Sequence, residues 1–134
     1  MKSILIIPAW FDSRVKSKGI FIEEFVEVLN ADPKLDLCML NVEYFSIKNI
    51  FAYWKAKEPQ KIFAYDILYV KSLNLKSRLL FFLNNETILR YYNKKVLNVI
   101  KRQKRTFDLI HCQSLCNNVT PFLVNHISKS LNIP

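Results

Sequence analysis

Apolar and polar positions fall in alternating blocks along the 134-residue chain. Residues 3–8 form a near-continuous apolar run, Ile4 to Ile7 stopped at Pro8, the pattern of a parallel strand buried on both faces. A polar, basic loop follows with Ser13, Arg14, Lys16, Ser17 and Lys18, and then Gly19, the only glycine of the chain. Residues 20–31 switch to a helical period. Phe21, Phe25, Val28 and Leu29 are predicted to share the core face, with Glu23, Glu24 and Glu27 turned outward in the first turns, where the helix dipole favours acids. Pro33 closes this helix, and residues 35–44 read as the second strand. Strand, loop, glycine, helix is the opening of a doubly wound α/β domain, in which ligands sit at the carboxyl edge of the sheet in front of a helix N-terminus.

The middle of the chain carries a weaker pattern. Residues 47–57 predict a short helix with Ile50, Phe51 and Trp54 on one face, ended before Pro59. Residues 62–70 predict a strand. Residues 78–105 are helical by period, with Leu89, Tyr92, Val96, Val99 and Ile100 aligned, and Arg90, Lys94, Lys101 and Arg105 on the opposite face. Asn84 and Asn85 before Glu86 offer a cap that would start a separate helix there. Residues 107–112 predict a strand and 113–118 a polar turn. Thr120 stands at an N-cap and Pro121 at the first position of a last helix carrying Val124, Ile127 and Leu131. Residues 132–134 approach a further strand. Strands alternating with helices predict a Rossmann-like, doubly wound parallel sheet with right-handed crossovers.

Composition adds bounds. The length suits one domain or a piece of a larger one, and half the residues are hydrophobic, enough for a packed core. No apolar run approaches the roughly 20 residues of a membrane span. The first apolar run breaks at Pro8 without a cleavage site, so no secretory signal is expected. Three cysteines without framework spacing point to a reducing, cytoplasmic setting.

Charge is unevenly placed. The net charge is +9, yet residues 48–105 alone hold 14 of the 20 Lys/Arg against three acids, together with ten of the 18 aromatics. Cations interleaved with rings suit an anionic membrane surface, which would make the protein peripheral on the inner membrane face. The plain alternative is that these lysines solvate the outer faces of helices. Nucleic acid is the other anionic partner class, and no recognition motif for it is present.

Chemistry is constrained by what one glycine forbids. Neither a glycine-rich dinucleotide fingerprint nor a phosphate loop is possible. His111, Cys112, Cys116 and His126 have poor spacing for zinc, and no metal site is expected. Adjacent strand residues point to opposite faces, so His111 and Cys112 do not make a nucleophile–base pair. His111 ends a predicted strand at the same sheet edge as the 8–19 loop. With Gln113 and Ser114 it offers donors and acceptors for a hydroxyl-rich or phosphorylated ligand; a histidine satisfied by backbone at a strand end is the equal alternative.

Four segments carry a family resemblance: ILIIPAWFDS at 4–13, KGIFIEEF at 18–25, FDLIHCQS at 107–114 and SLNIP at 130–134. In that order and spacing they resemble the N-terminal, acceptor-side domain of glycosyltransferase family 4, enzymes of GT-B fold that transfer sugars in polysaccharide and glycolipid synthesis. The resemblance implies an incomplete N-terminal half of a retaining, nucleotide-sugar-dependent enzyme of bacterial surface polysaccharide synthesis. It implies substrate-binding roles for Trp10, Phe11, Gly19, His111, Gln113 and Ser114, with Gly19 allowing close backbone approach. The second histidine of the family's His-x-His-Ser pattern is Gln113 here, and the proline common after Trp-Phe is Asp12. The resemblance further implies a sugar or lipid-linked acceptor as partner, a nucleotide-sugar donor for the complete enzyme, and no other cofactor. The donor is held mainly by a C-terminal domain that this sequence does not contain. The expectation is therefore a truncated frame or split enzyme that needs that partner, has no catalytic residue of its own, and transfers no sugar alone. A stand-alone, non-catalytic binding module and a basic membrane- or nucleic-acid-associated protein are the alternatives.

Overall fold

The computed structural model describes residues 1–8, 20–57, 65–75, 84–112 and 119–134. Four strands, β1 (Lys2–Ile7), β2 (Leu35–Phe45), β3 (Asp66–Leu73) and β4 (Leu109–Cys112), form one sheet in the order β3-β2-β1-β4. All three pairings are parallel. The helices are α1 (Ile20–Asn30), α2 (Ile50–Lys55) behind a 3-10 turn at Ile47–Asn49, α3 (Asn85–Arg102) and α4 (Val119–Leu131). The chain is thus an α/β domain whose four-stranded parallel sheet is flanked by helices, an arrangement compatible with a Rossmann-like fold.

Alternation along the strands divides the core into two layers. Ile6, Leu37 and Met39 face α1 and are buried with Val26 and Tyr65. Leu5, Ile7, Cys38, Leu40, Leu68 and Val70 face α3 and α4, packing with Val96, Ile100, Leu123 and Ile127. Both faces of the central strands are therefore covered, which is why β1 and β2 read as unbroken apolar runs.

The core face of α1 differs from the predicted one. Ile22, Phe25 and Leu29 pack around the fully buried Val26, whereas Val28 is 74% exposed. Placing Val26 inside and Val28 outside turns the stripe by less than one position, so Phe25 and Leu29 stay in it. The side chain of Phe21 lies outside the described residues.

Helix ends follow their caps. Asn84 accepts a hydrogen bond from the Thr87 N–H at 2.7 Å, so α3 begins there as a separate helix; residues 76–83 lie outside the described ones. Its buried stripe is Ile88, Tyr92, Val96 and Ile100, four residues apart. Helix α4 starts at Val119, so Thr120 is inside the helix rather than its cap, a shift of two residues at a terminus that side-chain propensity does not fix. Asn132 ends α4 in the left-handed region, φ 54°, and the Ile133 N–H closes the turn on Ser128 O at 3.0 Å. The Ile110 N–H then donates to Pro134 O at 2.9 Å, so residues 133–134 lie along the outer side of β4, in line with their predicted approach to the sheet.

The amino edge of the sheet is tied by charge. Arg105, predicted on the solvated face of a long helix, lies beyond the end of α3 and turns under the sheet. Its guanidinium pairs with Asp36 of β2 and, at 2.8 Å, with Asp66 of β3, and its Nε donates to the Ser3 hydroxyl of β1 at 3.2 Å. The Ser3 N–H donates to the Asp108 carboxylate at 2.7 Å while the Asp108 N–H returns a bond to Ser3 O at 2.8 Å. One arginine and one aspartate thus link the starts of all four strands.

Candidate functional site

In the order β3-β2-β1-β4 the chain leaves β1 in one direction to build β2 and β3, then returns to place β4 on the other side of β1. That reversal makes the β1/β4 boundary the switch point, and the crevice outside the carboxyl ends of these two strands is where such sheets bind ligands. His111 pairs in register with Ile6, and Cys112 with Ile7, so both lie at this edge, beside the point where the 8–19 loop departs from β1.

His111 faces the α1 side of the sheet. Its imidazole stacks on Phe25, ring centroids 5.3 Å apart and planes inclined by 26°. The ring is half-buried, so the stack fixes its plane while leaving part of it accessible. Of the six sequence-predicted site residues, His111 alone is described; Trp10, Phe11, Gly19, Gln113 and Ser114 lie outside the described residues. Among the described residues no cluster of His, Cys, Asp or Glu is placed to hold a metal ion. Cys116 lies outside them, and His126 is exposed on α4.

Cys38 and Cys112 differ in burial. Burial of Cys38 in the sheet centre pushes its thiol from 9.0 up to about 12, which holds it protonated and inert. Cys112 is half-buried at the carboxyl edge.

A second polar region, which the sequence shows only as a charge bias, lies at the opposite edge of the sheet. A groove of about 460 Å³ runs between α2, β3 and α3, lined by Tyr53, Val70, Lys71, Tyr91, Lys94, Lys95, Asn98, Val99 and Arg102. The α3 residues among them fall at 91, 94, 95, 98, 99 and 102, a helical stripe next to the buried one. That spacing was legible in the chain; its convergence with Tyr53 and Lys71 was not, because three elements distant in sequence supply it. Lys71 Nζ donates to the carbonyls of Tyr53 (3.1 Å) and Ala56 (2.9 Å), satisfying the C-terminal end of α2. Lys95 Nζ donates to the Tyr53 hydroxyl at 3.1 Å and lies over the rings of Tyr53 and Tyr91. The Tyr53 bond raises the Lys95 pKa and keeps it charged.

The predicted aromatic face of α2 points away from the core. Phe51 is 68% and Trp54 67% exposed, their rings edge to face at 6.1 Å, while Tyr53 takes the inner side against Phe45. Six residues give α2 fewer than two turns, and its Lys71 anchor fixes which side faces inward. Lys48, Lys55 and Lys57 are exposed around this pair. Among the described residues no helix is long and apolar enough to cross a membrane.

Comparison with protein-family models, curated proteins and solved structures finds no significant match to this chain.

Proposed function

We propose that this chain is the acceptor-side domain of a retaining, GT-B-type glycosyltransferase of family 4 that acts on a sugar or lipid-linked acceptor at an anionic membrane face. The observation that carries the reading is the position of His111. It stands at the carboxyl edge of β4, next to the carboxyl end of β1, which is the place the four resembling segments assign to acceptor contacts. Stacked on Phe25, the imidazole can donate or accept a hydrogen bond to an acceptor hydroxyl without reorienting. Trp10, Phe11, Gly19, Gln113 and Ser114 complete the acceptor wall in this proposal. The donor side, which holds the nucleotide-sugar, belongs to a second domain carried by the same protein or by a partner chain, and sugar transfer requires both.

Membrane approach is supported by α2. An exposed Phe51–Trp54 pair ringed by three exposed lysines presents rings to the interfacial region and cations to anionic head groups. The docking would be peripheral, on the cytoplasmic face.

The test uses uncharged acceptor mimics. Octyl glycosides titrated into the purified chain should bind at the β1/β4 edge, and His111→Ala should weaken that binding at least about fivefold, the loss of one or two polar contacts. Binding that ignores His111→Ala refutes the acceptor role of this edge. Sugar transfer from a nucleotide-sugar by the 134-residue chain alone would refute the assignment of the donor side elsewhere.

A further inference from the structure

Four cations converge on the groove between α2, β3 and α3, and no carboxylate lines it among the described residues. The acid nearest in register, Glu43 opposite Lys71, accepts a hydrogen bond from the Tyr69 hydroxyl. Two of the cations are held in place before any ligand arrives. Lys71 is fixed by two carbonyls and Lys95 by the Tyr53 hydroxyl and two rings. Each ammonium carries three donors, so Lys71 keeps one, and Lys95 two, for another partner. Lys94 and Arg102 are exposed, with no ion-pair partner among the described residues, at the two ends of the α3 stripe.

Such an arrangement is electrostatically incomplete. Like charges around one concavity repel, and the focused positive field draws an anion into it. A single carboxylate would leave most of the charge uncompensated, whereas a group with two or more negative charges and several acceptor oxygens matches both the charge and the donors. The phenols of Tyr53 and Tyr91 add hydroxyl contacts and flat walls, and the volume lies within the range of small-molecule sites. We propose that this groove binds a multiply charged phosphate group, a diphosphate or a phosphate monoester, carried by a soluble metabolite or by a lipid head group. It is a second site, at the β3 edge of the sheet rather than the β1/β4 crevice, and does not depend on the glycosyl-transfer reading.

Inorganic pyrophosphate titrated calorimetrically at low salt is the direct probe. Saturable binding is expected, weakened at least about tenfold in Lys94→Ala/Arg102→Ala, which removes two of the four cations from exposed positions where folding is unaffected. Lys34→Ala/Lys101→Ala removes the same charge from exposed positions outside the groove and should leave binding within about twofold, since general screening acts alike on both variants. His111→Ala should leave pyrophosphate binding unchanged, which separates this site from the acceptor edge. Co-sedimentation with vesicles containing phosphatidic acid, against phosphatidylcholine alone, then identifies the carrier. Vesicle binding that pyrophosphate competes away and the groove variant lacks means a lipid head group. Pyrophosphate binding without groove-dependent vesicle binding means a soluble ligand. No pyrophosphate binding, or equal weakening by the groove and control variants, overturns the proposal.

Discussion

Replacing Arg105 by methionine removes the charge that ties three strand starts together while keeping a stem of similar length against Phe107, over which the guanidinium lies at 5.5 Å. The magnitude follows from exposure. Asp66 is 77% exposed, and an ion pair with so wet a partner is worth about 0–0.5 kcal/mol. Asp36 is 34% exposed and Arg105 only 19%, and the same guanidinium donates to the Ser3 hydroxyl. Charge-assisted contacts of this half-buried kind contribute about 1.5–2.5 kcal/mol together, part of it the penalty of leaving Asp36 unpaired. Arg105→Met should therefore cost about 1.5–3 kcal/mol, and at this chain length lower Tm by about 4–15 °C. Urea unfolding followed by circular dichroism reads the loss as a lower midpoint at unchanged slope. Asp66→Asn should cost about 0.5 kcal/mol or less in the same assay. An Arg105→Met midpoint within about 0.5 kcal/mol of the parent, or an Asp66→Asn loss equal to it, would refute the reasoning from burial.

Other expectations are simpler. Ile127, fully buried between the sheet and α4, should cost about 3–4 kcal/mol on truncation to alanine, read by urea unfolding. Asn84→Ala should cost about 1 kcal/mol by losing the cap on Thr87, with faster amide exchange confined to the first turn of α3. Burial raises the Cys38 thiol to about 12 and also raises the Tyr65 and Tyr92 hydroxyls above 10.0. Above pH 9 the unfolded chain gives up these protons and the folded chain does not, so stability should be intact below pH 9 and fall as pH rises from about 9 toward 12. A urea midpoint flat over that window would contradict this. Cys38 should also resist alkylation in the folded protein and react once the chain is unfolded in urea.

Strands were the legible part of this fold. Ile4 to Ile7 and Leu37 to Leu40 are apolar on both faces, and only a strand covered from both sides uses such a run. The alternation of strands and helices made a parallel sheet legible, with His111 at its carboxyl edge; that β4 pairs with β1 is seen in the strand order. Helix phase was less legible. Val26 and Val28 are equally apolar and two positions apart, so either stripe satisfies the period, and the shape of the sheet surface made the choice. Phe51 and Trp54 were placed on one face correctly, but an amphipathic pattern does not state whether its apolar side meets the core or the surroundings. The Phe25–His111 stack was out of reach because it joins residues far apart in sequence.

Arg105 shows why the charge bias of residues 48–105 resists a single explanation. Fourteen cations on a short segment read as one property of composition, yet the fold divides them. Arg105 is spent at the amino edge, where two aspartates neutralise it and no ligand is needed. Arg90 pairs with Glu86 on the outer face of α3. Lys48, Lys55 and Lys57 are exposed together with Phe51 and Trp54, the surface proposed to meet the membrane. Lys71 and Lys95 are orientated by carbonyls, a phenol and aromatic rings, none of which removes a unit of charge. A lysine that only solvates a helix does not need a fixed ammonium, because freedom of its long stem favours the unfixed state. Two ammonium groups held over one tyrosine ring, in a groove that no carboxylate lines among the described residues, oppose folding unless the order serves binding, and that is the physical reason to propose the groove, rather than the whole basic segment, as the anion site.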